Sequence, residues 1–168
     1  MKHALIHHQI NDEIYTPEIA LIPLLKYLPK NIKIWECTDF GESNITKVLK
    51  EHGYDVISTH KSNFDFLSDK PTFDFDVIIT NPPYSLKDEF IKKCYEYNKP
   101  FALLLPITAL EGIRRGGMYK EYGLQLIILD KRINFMKNKK SNWFNTSWFC
   151  WKLLKHDLNF ERVIYERS

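Results

Sequence analysis

The stretch DVIITNPPY, residues 76–84, decides the fold class of this chain. After Asp76 it is continuously apolar as far as Thr80, as expected for a strand that is covered on both faces of a parallel sheet. The strand ends abruptly, because Pro82 and Pro83 fix their own φ angles and push the residues before them into extended backbone. The pattern predicts a buried strand that opens into a stiff corner, at the sheet edge where α/β proteins bind ligands.

Strand-like and helix-like segments alternate on both sides of this stretch. Apolar and β-branched runs predict further strands over residues 32–35, 54–59, 101–105, 124–129 and 147–153. Helical spacing predicts helices over 17–28 with a kink at Pro23, from the Ser43 cap to Glu51, over 86–97, and from Thr108 up to Arg114-Arg115-Gly116-Gly117. This alternation predicts an α/β protein with a three-layer, Rossmann-like, doubly wound and mostly parallel sheet. The aromatic content of the last strand suits an antiparallel addition at the sheet edge.

The composition predicts one soluble domain. The 168 residues are 44% hydrophobic, which is enough for one sizeable core, and we divide residues 1–168 into an N-terminal segment and helix (1–30), a Rossmann-like core (31–129) and a basic loop with a closing strand (130–168). No apolar run approaches the roughly 20 residues that cross a bilayer, and the first residues lack a signal-peptide pattern. Cys37, Cys94 and Cys150 lie far apart, as expected for reduced cytoplasmic thiols. We predict no metal site.

The corner at residues 81–84 has the chemistry to hold a planar amine. The Asn81 side-chain oxygen and the Pro82 carbonyl can both accept hydrogen bonds from an amino group, and Tyr84 offers a flat face on which a base can stack. An exocyclic adenine amine is a poor nucleophile because its lone pair is delocalised into the ring. Two acceptors on its hydrogens shift electron density back onto nitrogen, and a methyl donor then needs only alignment.

The run DVIITNPPYS, residues 76–85, resembles the signature of the amino-group methyltransferases of nucleic acids, in which Asp, Asn or Ser precedes Pro-Pro-Tyr after a hydrophobic strand. The small phage-type N6-adenine enzymes are especially similar. The resemblance implies class I S-adenosylmethionine-dependent methyl transfer to the N6 amine of adenine in nucleic acid, with DNA as the expected substrate. It also implies that Asn81, Pro82, Pro83 and Tyr84 are the catalytic residues. It covers most of the chain and includes residues 103–106, 132–135 and 147–149.

The same resemblance implies where the methyl donor binds. Tyr15-Thr16-Pro17 resembles the family's N-terminal cofactor-contacting segment, and Trp35-Glu36 resembles its donor-binding motif. Asp65-Phe66-Leu67 is similar to the motif whose Asp contacts the adenine ring of the donor. The cofactor-binding set implied for S-adenosylmethionine is therefore Tyr15, Thr16, Pro17, Glu36, Gly41, His60 and Asp65.

Two positions depart from the family pattern. The loop after the first strand usually contains two glycines in a GxG pattern, whereas CTDFGES, residues 37–43, contains only Gly41. The second strand usually ends in an acidic residue that accepts from the ribose hydroxyls, whereas this chain has His60, with Asp39 and Glu42 as alternative carboxylates. A second hypothesis follows: a methyltransferase-like fold that has lost donor binding and serves as a nucleic-acid-binding or interaction module.

The basic loop Lys131–Lys140 is the predicted contact to nucleic acid. The candidate residues are Arg132, Lys137, Lys139, Lys140 and Trp143, which combine phosphate-binding charges with an aromatic ring for splayed bases. Arg114 and Arg115 form a second candidate contact. The net charge of +3 suits nucleic acid without requiring it. RNA adenine, cytosine N4 and a protein glutamine amide remain alternative acceptors, and a homo-oligomer or a separate specificity partner remains open because no target-recognition domain is apparent.

Overall fold

The computed structural model describes residues 16–135 and 145–164. Within these ranges the chain forms one seven-stranded sheet in the order β2-β1-β3-β4-β6-β5-β7. The strands are β1 Lys33–Glu36, β2 Asp55–Ser58, β3 Val77–Thr80, β4 Phe101–Pro106, β5 Gln125–Leu129, β6 Thr146–Trp151 and β7 Leu158–Glu161. The β6 strand pairs antiparallel with β4 and β5, and every other pairing is parallel. The predicted α/β fold with a mostly parallel sheet is confirmed.

Helices lie between the strands. They are α1 Ile22–Leu25, α2 Asn44–Glu51, α3 Lys87–Tyr97 and α4 Ile113–Tyr122, and 3-10 turns cover Glu18–Ala20, Tyr84–Leu86 and Ile107–Leu110. Ser43 caps α2 as predicted, since its hydroxyl accepts a 3.1 Å hydrogen bond from the Thr46 main-chain nitrogen. The single kinked helix predicted over 17–28 is wrong: a 3-10 turn precedes the four-residue α1, in which Pro23 occupies the first turn, where its missing N–H costs nothing.

A prediction about the second half of the sheet is also wrong. The aromatic strand β6 is not an edge strand, because it lies between β4 and β5, and its Trp148 and Phe149 are buried on opposite faces. Aromatic residues fit any covered strand and do not distinguish an edge from a centre. The edge is instead β7, a short strand that the sequence pattern did not reveal and that pairs parallel with β5.

The helix predicted from Thr108 to the Arg-Arg-Gly-Gly stretch is also wrong. Residues 107–110 form a 3-10 turn, and α4 begins at Ile113 and runs through Gly116 and Gly117. Two ion pairs hold α4 against α3, one between Arg115 and Asp88 and one between Arg114 and Glu89. Met118 and Tyr119 of α4 also pack against the core, and these tertiary contacts oppose the low helical propensity of the two glycines.

The core lies on both faces of the sheet, which gives the three predicted layers. Neighbouring residues of one strand enter different clusters: Ile34 and Ile79 pack on one face, and Trp35 and Ile78 pack on the other. This double burial explains why β3 is apolar at consecutive positions. Among the described residues, no helix combines the length and hydropathy needed to span a membrane.

Candidate functional site

Three loops meet at the carboxyl edge of β1, β2 and β3. The strands are parallel and adjacent, with Trp35 opposite Ile78 and Glu36 opposite Ser58, so their ends lie side by side. A cleft of about 480 Å³, including its open mouth, lies between the loops. It is lined by Cys37, Thr38, His60, Lys61, Asp65, Phe66, Leu67, Pro83, Leu86 and Phe90. The mixture of apolar walls with a few polar groups is typical of a small-molecule site.

Glu36 is a buried carboxyl group behind the wall of the cleft. Its side chain is 1% exposed, and its Oε1 accepts 3.1 Å hydrogen bonds from the main-chain nitrogen and from the hydroxyl of Thr38. The Thr80 hydroxyl, at the end of β3, donates a short hydrogen bond to the same oxygen. Burial raises the pKa of Glu36 from 4.5 to about 8, and the nearby Asp39 charge acts in the same direction, while the hydrogen bonds from Thr80 and Thr38 oppose it. The carboxyl group is therefore largely protonated at neutral pH.

Asp39 organises the loop that follows β1. Its Oδ1 accepts from the main-chain nitrogens of Glu42 (3.1 Å) and Ser43 (3.0 Å), and its Oδ2 accepts from the Thr46 hydroxyl at 2.5 Å. These bonds tie the loop to the start of α2. Both carboxylate oxygens are thus engaged, and neither Asp39 nor the exposed Glu42 lines the cleft.

His60 follows β2 and lines the cleft. Its ring stacks on that of Phe40, with 3.6 Å between centroids and 27° between planes, and Phe40 is 57% exposed. Burial lowers the pKa of His60, and the nearby Lys61 charge adds to this, although Asp39 opposes it. A neutral imidazole at this position can still accept or donate one hydrogen bond per nitrogen.

Asp65 lies in a tight turn on the far wall of the cleft. Its Oδ1 accepts a 3.0 Å hydrogen bond from the Leu67 main-chain nitrogen, and its own nitrogen donates to the Asp69 carboxylate at 2.7 Å. Phe66 is buried next to it and stacks on Phe90 of α3, with 4.9 Å between ring centroids. The aromatic packing fixes the position of the loop. The hydrogen bond from Leu67 fixes the Asp65 carboxylate at the cleft.

The corner after β3 forms another wall. Pro83 lines the cleft, Pro82 is buried, and the half-buried Tyr84 begins the 3-10 turn that leads into α3. Asn81 is 3% exposed, and its amide nitrogen donates a 2.9 Å hydrogen bond to the Thr16 hydroxyl. The Thr16 carbonyl in turn accepts from the Asn44 side chain at 2.9 Å. The N-terminal segment therefore connects the corner to the start of α2.

Comparison with solved structures identifies the type of α/β fold. A protein from Listeria monocytogenes that was assigned as a class I S-adenosylmethionine-dependent methyltransferase superposes with a TM-score of 0.55 over 92% of this chain and 67% of its own, at 12% identity. The fold is that of the class I methyltransferases. A modification subunit assigned to a type I restriction enzyme of Vibrio vulnificus superposes with a TM-score of 0.56 over 99% of this chain, at 9% identity. The chain spans about half (51%) of that subunit. No family model and no curated protein sequence matches the chain.

The class I methyltransferase fold brings together part of the set that the sequence predicted. His60, Asp65 and Pro83 line one cleft, Glu36 lies behind its wall, and Thr16 contacts Asn81. Pro17 is half-buried and precedes the first 3-10 turn.

Gly41 does not line the cleft. Its φ of +98° favours glycine, although an added Cβ would meet only Ser58 Cβ at 4.0 Å.

The predicted nucleic-acid contacts are only partly within the described residues. Arg132 is exposed after β5, and its Nε donates to the Asn145 side chain at 2.9 Å. Arg114 and Arg115 pair with carboxylates of α3. The remaining nucleic-acid candidates lie outside the described residues: Lys137, Lys139 and Lys140 of the basic loop, and Trp143 after it. Tyr15 of the predicted donor set also lies outside them.

Sequence reasoning missed Thr38, Thr80 and Asn44. The available signal was Thr80 itself, the one hydroxyl in the otherwise apolar strand VIIT of residues 77–80. A buried hydroxyl needs a partner, but the sequence does not say that the partner is Glu36, which lies 44 positions earlier.

Proposed function

We propose that this chain is an S-adenosylmethionine-dependent methyltransferase that acts on the N6 amino group of adenine in nucleic acid, with DNA as its substrate. The supporting observation is that Pro83 of the Asn-Pro-Pro-Tyr corner and the loops after β1 and β2 line one cleft. Cys37, Cys94 and Cys150 are buried and form no disulfide bond with one another, which fits a reducing cytoplasm. The Vibrio vulnificus protein with the same fold is described as a restriction-modification subunit, which agrees with DNA as the substrate.

The cleft fits a donor with an adenosine half. Phe66, Leu86 and Phe90 provide apolar surface for a flat ring, and Asp65 and His60 provide polar groups beside it. We assign Thr16, Pro17, Glu36, Gly41, His60 and Asp65 to the donor side, together with Tyr15 outside the described residues. When bound, S-adenosylmethionine supplies an electrophilic methyl group on a sulfonium.

The corner holds the acceptor amine. Asn81 is fixed through its amide nitrogen by Thr16, and the Asn81 side-chain oxygen and the Pro82 carbonyl accept from the two amine hydrogens. Tyr84 stacks on the base and offsets part of the few kcal/mol that flipping an adenine out of a duplex costs. These acceptors would stabilise the positive charge that develops on nitrogen as its bond to the methyl carbon forms and the bond from that carbon to the sulfonium sulfur breaks, which leaves a neutral thioether. The methylated amine would then release a proton to water.

The experiment is transfer of labelled methyl from S-adenosylmethionine to adenine-containing DNA. We expect label on N6 of adenine, and we expect Asn81→Ala to lower the rate by 100-fold or more, the usual effect of removing one preorganised group that stabilises developing charge. Asn159→Ala is the matched control, since that side chain hydrogen-bonds to main-chain carbonyls of Leu126 and His156 beside β7, far along the sheet. Label on cytosine or on protein contradicts the adenine assignment, and competition between DNA and RNA identifies the nucleic acid.

A second candidate function is a methyltransferase-like fold without donor binding, acting as a nucleic-acid-binding or interaction module. The stacking of His60 on Phe40 favours it, because a ring stands where the family has an acidic residue, next to a loop that contains only the single Gly41. Calorimetric titration with S-adenosylmethionine separates the two functions: micromolar binding supports the enzyme, and millimolar or absent binding supports the module.

A further inference from the structure

Thr80 connects two parts of the site that have different tasks. Its main chain ends β3 and leads directly into Asn81, and its side chain is fully buried. Its hydroxyl reaches across to the loop after β1, where it lies 2.7 Å from the Thr38 hydroxyl and donates to Glu36. Thr38 in turn lines the cleft.

The two hydroxyls and one carboxyl oxygen form a closed triangle. Thr38 Oγ1 lies 3.1 Å from Glu36 Oε1 and 2.7 Å from Thr80 Oγ1, and Thr80 Oγ1 contacts Glu36 Oε1. The hydroxyl protons of Thr38 and Thr80 are therefore shared among the three contacts of the triangle. Hydrogen bonds to a carboxylate are roughly twice as strong as those to a neutral carboxyl group, so the triangle is tightest when Glu36 is ionised.

We propose that Thr80 is a positioning residue whose hydroxyl holds the strand leading into the Asn-Pro-Pro-Tyr corner against the donor-side carboxyl group, so that donor binding and the geometry of the corner are coupled. This proposal rests on the proposed function. A cationic donor in the cleft lies on the other side of Thr38 from Glu36 and favours the ionised form of this carboxyl group, which strengthens the hydrogen bond from Thr80, the residue that precedes Asn81.

The electrostatic surroundings of Glu36 define the expected pH dependence. Asp39, in the loop after β1, is the charged group that acts on it, and β2 faces it with the Thr59 main-chain nitrogen, which donates to the Glu36 carbonyl at 3.0 Å. From β3 the contact is the Thr80 hydroxyl, which lowers the pKa of Glu36. Without that hydroxyl, ionisation of Glu36 moves to higher pH.

The test compares Thr80→Val, Thr80→Ser and the control Thr146→Val. Thr146 is a buried threonine whose hydroxyl has no hydrogen-bond partner among the described residues. Donor affinity and kcat are measured from pH 6 to 9.5 in each. We expect the donor affinity of the wild type to rise with pH up to about 8. Thr80→Val should shift this rise upward by roughly one pH unit and lower kcat about tenfold. Thr80→Ser and Thr146→Val should match the wild type.

An unchanged pH profile and kcat in Thr80→Val would overturn the proposal, and so would an equal loss in Thr80→Ser, because the hydroxyl would then not be the group that matters. If valine prevents folding, Thr80→Cys replaces it, and its weaker donor is expected to give an intermediate shift. Absence of donor binding by the wild type contradicts the proposed function instead, and the contact between Thr80 and Glu36 is then tested alone by the pH dependence of unfolding in the same variants.

Discussion

At the scale of single residues, Glu36 determines how stability depends on pH. Its pKa is about 8 in the folded chain and near 4.5 when unfolded, so between these values the folded state holds a proton that the unfolded state has lost. Stability from this group is complete below pH 4.5, falls as the pH rises, and levels off above about 8. Glu36→Gln removes this dependence, and we expect the unfolding free energy of the variant relative to wild type to increase by a few kcal/mol from pH 5 to pH 9.

Urea unfolding at pH 5, 7 and 9 measures this difference, with Glu51→Gln, which removes an exposed carboxylate, as the comparison. Parallel stability curves for wild type and Glu36→Gln would contradict the prediction. The sequence placed Glu36 at the end of a strand and near a donor site, but not in a pocket with a shifted pKa. The upward pKa shift comes chiefly from burial, with Asp39 adding to it and Thr80 and Thr38 opposing it. The contact with Thr80 arises only when β1 pairs with β3.

At the scale of elements, local patterns predicted strands better than helices. Strand β3 was predicted over 76–80 and is found at Val77–Thr80, because a strand buried on both faces leaves a continuous apolar run. Helix α4 was missed, because its contacts, the packing of Met118 and Tyr119 against the core and the ion pairs with α3, join distant segments that no local pattern contains. The position of β6 between β4 and β5 was missed for the same reason, since strand order follows from pairing between distant segments.

The glycines of α4 give a prediction at this scale. Gly116 and Gly117 have helical backbone, and a Cβ added to either would meet no atom within 4 Å. We expect Gly116→Ala and Gly117→Ala each to stabilise the protein by about 0.5–1 kcal/mol, because alanine loses less backbone entropy on folding. Gly123→Ala is the matched control: its space is equally open but its φ is +87°, so it should destabilise. Thermal melts measure all three, and a loss of stability in both helical variants would contradict the prediction.

At the scale of the whole molecule, the site belongs to one half of the sheet. The residues that surround the cleft come from the ends of β1, β2 and β3 and from α3, whereas β5, β6 and β7 contribute none of its lining. At the opposite edge of the sheet, β7 exposes the side chains of Leu158 and Phe160. The sequence predicted the gathering of loops at one rim from the parallel order of the strands, but not which side chains form the walls.

A ligand that bridges three loops should stabilise the whole domain. S-adenosylmethionine at about 100 times its dissociation constant adds roughly 2.7 kcal/mol to the unfolding free energy, which corresponds to a rise in Tm of roughly 5–10 °C for a domain of this size. Asp65→Asn should reduce this rise, because its carboxylate is a wall of the cleft, while Asp157→Asn, in the exposed turn before β7, should preserve it. Differential scanning fluorimetry measures the shift. Equal rises in Tm in both variants would show that Asp65 does not contribute to donor binding. No rise in Tm in the wild type would favour the interaction module over the enzyme.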